Sequence, residues 1–221
     1  MSLERKEIIT CPQCNAQSEF VLWDSINVDL DPEMRDKVLN NEVFQWHCPH
    51  CGTKAYIPFA TLYHDMRHKF MLMFAPEEPK DGNKYDITDI PNPLGGISDQ
   101  YSLRCVYGIN NLKEKIHILE HELNDVAIEK LKYILTHYVD DFAYDDEEVF
   151  FAGVTNADER NKYGRMIFQR LSPEAERFGM ITTPMEKYYE QCLSLELDHR
   201  FDARGWMCID QGWIAQQIKR L

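Results

Sequence analysis

Hydrophobic and polar positions alternate over residues 18–28, with Phe20, Leu22, Ile26 and Val28 on one parity. A period of two marks a half-buried strand, and the pattern predicts one here, interrupted near Asp24-Ser25. Asp31-Pro32-Glu33 then supplies a helix start: a capping carboxylate, proline at the first helical position and an acid in the first turn. The helix is predicted over 32–41, with Met34 and Val38 facing inward. Residues 43–47 and 54–59 read as short strands, and 69–75, with Phe70, Leu72, Met73 and Phe74, as a denser apolar one that extends the sheet. Residues 76–100 are polar and rich in proline and glycine (Pro76, Pro79, Gly82, Pro91, Pro93, Gly95, Gly96), the signature of a long surface loop and of a domain boundary.

Beyond the loop, residues 101–107 alternate again. The period then lengthens: Leu112, Ile116, Leu119 and Leu123 recur at helical spacing, which predicts a helix over 110–123. Asn124 caps a second helix over 125–139, and the two make a helical hairpin. An acidic turn at 140–141 and 145–148 leads to strands at 147–154 and 162–171, joined through Asn156-Ala157-Asp158. Thr183-Pro184-Met185-Glu186 has the form of a capping box and opens a helix to about residue 198. Residues 206–209 read as a short strand, and Asp210 caps a terminal helix. The expected class is α+β: an N-terminal zinc ribbon with an inserted short helix (1–75), a linker (76–100), and a mixed α/β C-terminal domain containing the helical hairpin (101–221). No regular strand–helix alternation points to a doubly wound sheet.

The ribbon expectation rests on cysteines. Cys11-Pro12-Gln13-Cys14 is followed, after thirty-three residues, by Cys48-Pro49-His50-Cys51-Gly52. Two such pairs supply four tetrahedral thiolates, which suit zinc or iron and fit magnesium or calcium badly. Pro12 and Pro49 help preset the turns, and Asn15 and Gly52, each following a second cysteine, are the residue types that enter the left-handed region most easily. Disulfides are the competing use of these cysteines, but the N-terminus lacks the apolar core of a signal peptide, and cytosolic thiols stay reduced. The expected ligands are Cys11, Cys14, Cys48 and Cys51, holding one structural zinc ion; a rubredoxin-like iron centre uses the same four sulfurs.

The doubled Cys-Pro-x-Cys pattern, with Leu22-Trp23-Asp24-Ser25-Ile26-Asn27 between the pairs and Leu62-Tyr63-His64-Asp65 after them, resembles the CpXC domain, a bacterial and archaeal family. The resemblance covers about residues 5–135. It implies metal binding by the four cysteines and no particular reaction, since the family has no established activity.

Charge narrows the partners. The chain carries a net −13, and residues 1–75 and 76–221 are each acidic. Nucleic-acid binders need basic surface against phosphates, so composition argues against one. No run approaches a membrane span, and the expectation is a soluble cytoplasmic protein with a protein partner and a binding or scaffold role, the question of catalysis left open. Two other readings stand beside it. One is a hydrolase-type enzyme using His64, Asp65 and His68 in a site between the domains. The other is an iron electron carrier. His117 and His121, with Glu114 on the same helix side, form a further candidate metal pair, whereas His47 and His50 adjoin a ligand set that is already full. Cys105, Cys192 and Cys208 sit in apolar patterns and read as buried hydrophobes, and Trp206, Trp213, Tyr188 and Tyr189 as C-terminal core.

Overall fold

The structure, a computed structural model, describes residues 2–80, 82–85, 100–138, 147–157, 162–172 and 176–219. The chain divides into two compact units, residues 1–109 and 110–221. The described residues form a mixed α/β fold with five α-helices. None of these helices is long and apolar enough to cross a membrane.

In the first unit, β1 (Leu3–Thr10) and β2 (Gln17–Asn27) form an antiparallel hairpin. Phe20, Leu22 and Ile26 are buried as the alternation requires. The interruption foreseen near Asp24 is a register shift, in which Glu4 faces Trp23 while Leu3 faces Ser25. Beyond it, Ser25, Ile26 and Asn27 pair in parallel with β5 (Thr61–Asp65). β6 (Phe70–Ala75) is antiparallel to β5, and β7 (Ser102–Tyr107) is parallel to β6. Phe70, Met71, Leu72 and Phe74 are all buried, as expected of an interior strand covered on both faces.

Between β2 and β5 lie α1 (Glu33–Leu39), a 3-10 turn at Glu42–Phe44, and a second small hairpin, β3 (Gln45–His47) with β4 (Lys54–Tyr56). Met34 and Val38 are buried as predicted. Asp31 does not cap the helix through its side chain; its carboxylate accepts the Ser2 hydroxyl. Phe44 anchors the second hairpin, its ring 5.0 Å from that of Phe59 and 5.7 Å from that of Phe74. Trp46 Nε1 donates to Ser18 Oγ at 3.1 Å, tying β3 to β2.

The expected boundary loop lies mostly outside the described residues. Strand β7, which the sequence reading assigned to the C-terminal domain, falls within the first unit.

The second unit holds most of α2 (Ile109–Glu120), then α3 (Asp125–Tyr138), β8 (Glu148–Val154), β9 (Arg165–Ser172), β10 (Arg177–Pro184), α4 (Met185–Glu196), β11 (Trp206–Met207) and α5 (Gln211–Lys219). Asn124 caps α3 as foreseen, its Oδ1 accepting from the N–H of Val126 at 3.0 Å and of Ala127 at 3.2 Å. Asp210 caps α5 through the Trp213 N–H at 2.8 Å. The three strands form an antiparallel sheet in the order β10-β9-β8. Val149, Phe151, Met166 and Phe168 on one face join Ile118, Ile128, Leu131, Met185 and Tyr188 in a single core.

Two expectations here need correction. The capping box at Thr183 does not form: Thr183 is paired with Met166 in β10, and α4 begins without a side-chain cap. Strand β10 itself was not foreseen. Of the acidic turn, residues 140–141 and 145–146 lie outside the described residues, as does Asp158.

Candidate metal centre

The β1–β2 and β3–β4 hairpins each turn through one cysteine pair. At the first tip the Cys11 N–H donates to the Ala16 carbonyl at 2.9 Å, and the Asn15 N–H donates to the Cys11 carbonyl at 2.9 Å. The second tip repeats the pattern: Cys48 N–H to Thr53 carbonyl at 2.8 Å, and Gly52 N–H to Cys48 carbonyl at 3.0 Å. Asn15 and Gly52 both adopt positive φ, 58° and 75°, which these residue types tolerate best. The two turns are therefore the same local structure built twice.

The turns bring the four sulfurs within 4.8 Å of one another. Cys11 Sγ lies 3.6 Å from Cys51 Sγ, and Cys14 Sγ lies 3.7 Å from Cys48 Sγ. A disulfide would hold its sulfurs at about 2.05 Å, and all four cysteines are free. At a metal–sulfur bond of about 2.3 Å, the length found for zinc, tetrahedral sulfurs stand about 3.8 Å apart. The observed spacings fit a central ion. Cys11 and Cys48 are buried and Cys14 and Cys51 exposed, so one edge of the cluster faces solvent.

The electrostatics of the four thiols point the same way. The Thr53 hydroxyl, 3.1 Å from Cys51 Sγ, and the Thr53 N–H draw the Cys51 thiol down to about 6. Cys14 accepts the Ala16 N–H, which lowers it, but the facing thiols and burial outweigh this and push it up to about 12. One thiolate forms readily and the next is resisted by the charge already present. A cation at the centre removes that resistance, so binding an ion and releasing protons are one event.

The other sequence candidates are placed differently. His64 and His68 do not share a helix face, because β5 is a strand and residues 66–69 a turn. Asp65 Oδ2 takes His68 Nδ1 at 2.7 Å, and Asp65 Oδ1 takes the His68 N–H at 2.7 Å, closing the turn on itself. His64, adjacent to Asp65 in a strand, belongs to the other face of the sheet. Its Nδ1 lies 3.4 Å from Asn27 Nδ2, and burial holds it below the ordinary histidine value. Only the Asp65–His68 half of the trio is assembled.

His121 Nδ1 lies 2.7 Å from the His117 carbonyl and donates to it, which ties the ring to the end of α2. Glu114 is buried and committed to Lys132 Nζ, 2.9 Å from both carboxylate oxygens, and to the Phe151 N–H. Among the described residues, the four cysteines are the one group of three or more ligand types close enough to hold a metal. Cys105 is buried in β7 with its thiol pushed up to about 11. Tyr188 and Trp213 are buried as expected, while Tyr189 is exposed.

Sequence reasoning missed a buried ionic network in the second unit. Lys132 also meets Glu129 at 3.1 Å, and Lys115 meets Asp125 at 3.2 Å, Glu129 at 3.5 Å and the Ile209 carbonyl at 3.0 Å. Its one sequence signal is Lys115, which interrupts the apolar side of α2 between Leu112 and Ile116.

Two cysteine turns that gather four thiols within 4.8 Å of one another define a protein able to hold a metal ion. The chain belongs to the CpXC family, whose model, described as CpXC protein, matches residues 9–132. That span covers the cluster, the rest of the described first-unit sheet from residue 9 onward, α2 and the first part of α3. Neither a curated protein nor a solved structure matches the chain.

Proposed function

We propose that Cys11, Cys14, Cys48 and Cys51 bind one zinc ion with a structural role, and that the protein acts as a protein-interaction or scaffold module built on a zinc ribbon. The observation that carries this reading is the closed set of four sulfurs at tetrahedral spacing on the tips of two hairpins. A metal with four protein thiolates keeps no open position for a substrate, which is the arrangement of structural zinc and not of catalytic zinc. The second hairpin has strands of three residues each, too short to stand alone, so an ion that pins its tip supplies what backbone pairing cannot. Beside this hairpin a groove of about 400 Å³ is lined by Phe20, Val21, Trp23, Met34, Val43 and Trp46, with Glu19, Lys37 and Glu42 at its rim. An apolar floor with a mixed-charge rim suits an apolar side chain of a partner protein.

Metal analysis and an absorbance spectrum on protein purified without added metal test the metal assignment. One zinc per chain and no visible bands are expected, and Cys48→Ser should abolish stoichiometric binding. One iron per chain with visible thiolate bands would replace the structural reading with electron transfer. The interaction reading is tested by photo-crosslinking from position 23 in cells: discrete protein adducts are expected from the intact chain and not from Cys48→Ser.

A further inference from the structure

The sheet of the second unit has one face buried in its core and another that is only partly covered. Phe150 on β8, Gln169 and Leu171 on β9, and Phe178 on β10 line the second face, and Phe178 is 67% exposed. Asn110, Lys113, Glu114 and His117 come from one side of α2, at helical spacing, and wall a cavity of about 280 Å³ against these residues. The site belongs wholly to the second unit and is independent of the cysteine cluster.

The charges in this cavity are unequal in availability. Glu114 is saturated by Lys132 and the Phe151 N–H. Lys113 has no ion-pair partner among the described residues. Burial holds its ammonium below the ordinary lysine value. Predominantly apolar walls with a few convergent polar groups are the usual make-up of a small-molecule site.

We propose that this cavity binds a small monocarboxylate with an aromatic or apolar body, the carboxylate meeting Lys113 and the body lying against Phe150, Leu171 and Phe178. The volume equals that of about nine waters at ~30 Å³ each, which admits a single ring with a short acid arm. A cationic ligand would face Lys113 and find Glu114 already taken. A phosphate, with nearly two charges, needs more donors than one ammonium and the neighbouring His117 ring provide. The apolar walls supply the remaining affinity and select against small hydrophilic acids.

Phenylacetate titrated into the full-length protein, followed by amide and methyl NMR shifts, tests the proposal. Saturable shifts are expected at Lys113, Phe150, Leu171 and Phe178. Phenylacetamide, the same shape without the charge, should bind at least tenfold more weakly. Lys113→Met should weaken phenylacetate at least tenfold and Lys113→Arg should restore most of the binding; because Lys113 is not part of the core, all three proteins should share one folded spectrum. Absence of saturable shifts, or equal affinity in Lys113→Met, would overturn the proposal. So would a dimer, seen by sedimentation, that buries Phe178 and excludes phenylacetate.

Discussion

Lys132 is held with 4% of its side chain exposed, between Glu114 and Glu129. Taking an ammonium out of water costs several kcal/mol, and only well-placed carboxylates offset it. The offset is shared: Glu114 also takes the Phe151 N–H, so it closes the β8 edge as well as the charge. Gln211 Nε2 holds Glu129 at 2.7 Å from the other side. Lys132→Met leaves Glu114 without its cation and Glu129 with Lys115 and the Gln211 amide. The variant is expected to lose roughly 3–5 kcal/mol of stability in the second unit, read by urea melts followed through hydrogen exchange in α3. Adding Glu114→Gln should recover part of the loss, since the amide still accepts the Phe151 N–H and carries no charge. An unchanged melt in the single variant would mean that the carboxylates reach water.

At the scale of elements, the turns decide what a sequence can declare. The two cysteine turns were legible in full, because each states its own requirement: ligand, proline, ligand, then a residue tolerant of positive φ. Asn15 and Gly52 occupy matched places with φ of 58° and 75°. Gly52→Asn is therefore expected to change stability by less than about 0.5 kcal/mol, and Gly52→Ala, with open space around the added Cβ, to cost about 1–2 kcal/mol from backbone strain alone. Gly164 also has positive φ, but a Cβ there would run into the Thr155 carbonyl oxygen. Gly164→Ala should cost clearly more than Gly52→Ala in the same chemical melts; equal costs would show that the backbone at Thr155 gives way freely. Local signals elsewhere lost to pairing partners that the sequence does not name. Thr183 to Glu186 reads as a capping box, yet β9 claims Thr183 for the sheet. His64 and His68 stand four apart, a spacing that shares a face only on a helix, and the β2 and β6 strands hold residues 61–65 extended. The cavity at Lys113 could not be read at all, since its walls come from four elements up to about seventy residues apart.

For the molecule as a whole, the question is how far a bound ion supports the fold. The first unit has apolar packing that does not involve the cysteines: Tyr63 stacks on Phe70 at 6.0 Å, and Phe70, Leu72 and Phe74 are fully buried. The second unit has its own core cluster. By contrast, β3 and β4 have three residues each and hold mainly through Phe44, Trp46 and the tip. Without a cation the sulfurs, paired at 3.6 and 3.7 Å, take protons back and keep only weak thiol contacts, so removing the ion deletes a cross-link. Hydrogen exchange on the full chain with and without a chelator should therefore show graded loss. Protection is expected to fall in β3, β4 and the tip of the β1–β2 hairpin, and to persist in β5, β6, β7 and in the strands and helices around Phe151 and Phe168. Loss of protection throughout β5–β7 would make the ion a support of the entire first unit, and no loss at residues 45–56 would remove the structural role proposed for it. The same experiment on Cys48→Ser without chelator should reproduce the chelated pattern, which separates loss of the ion from any effect of the chelator on the rest of the protein.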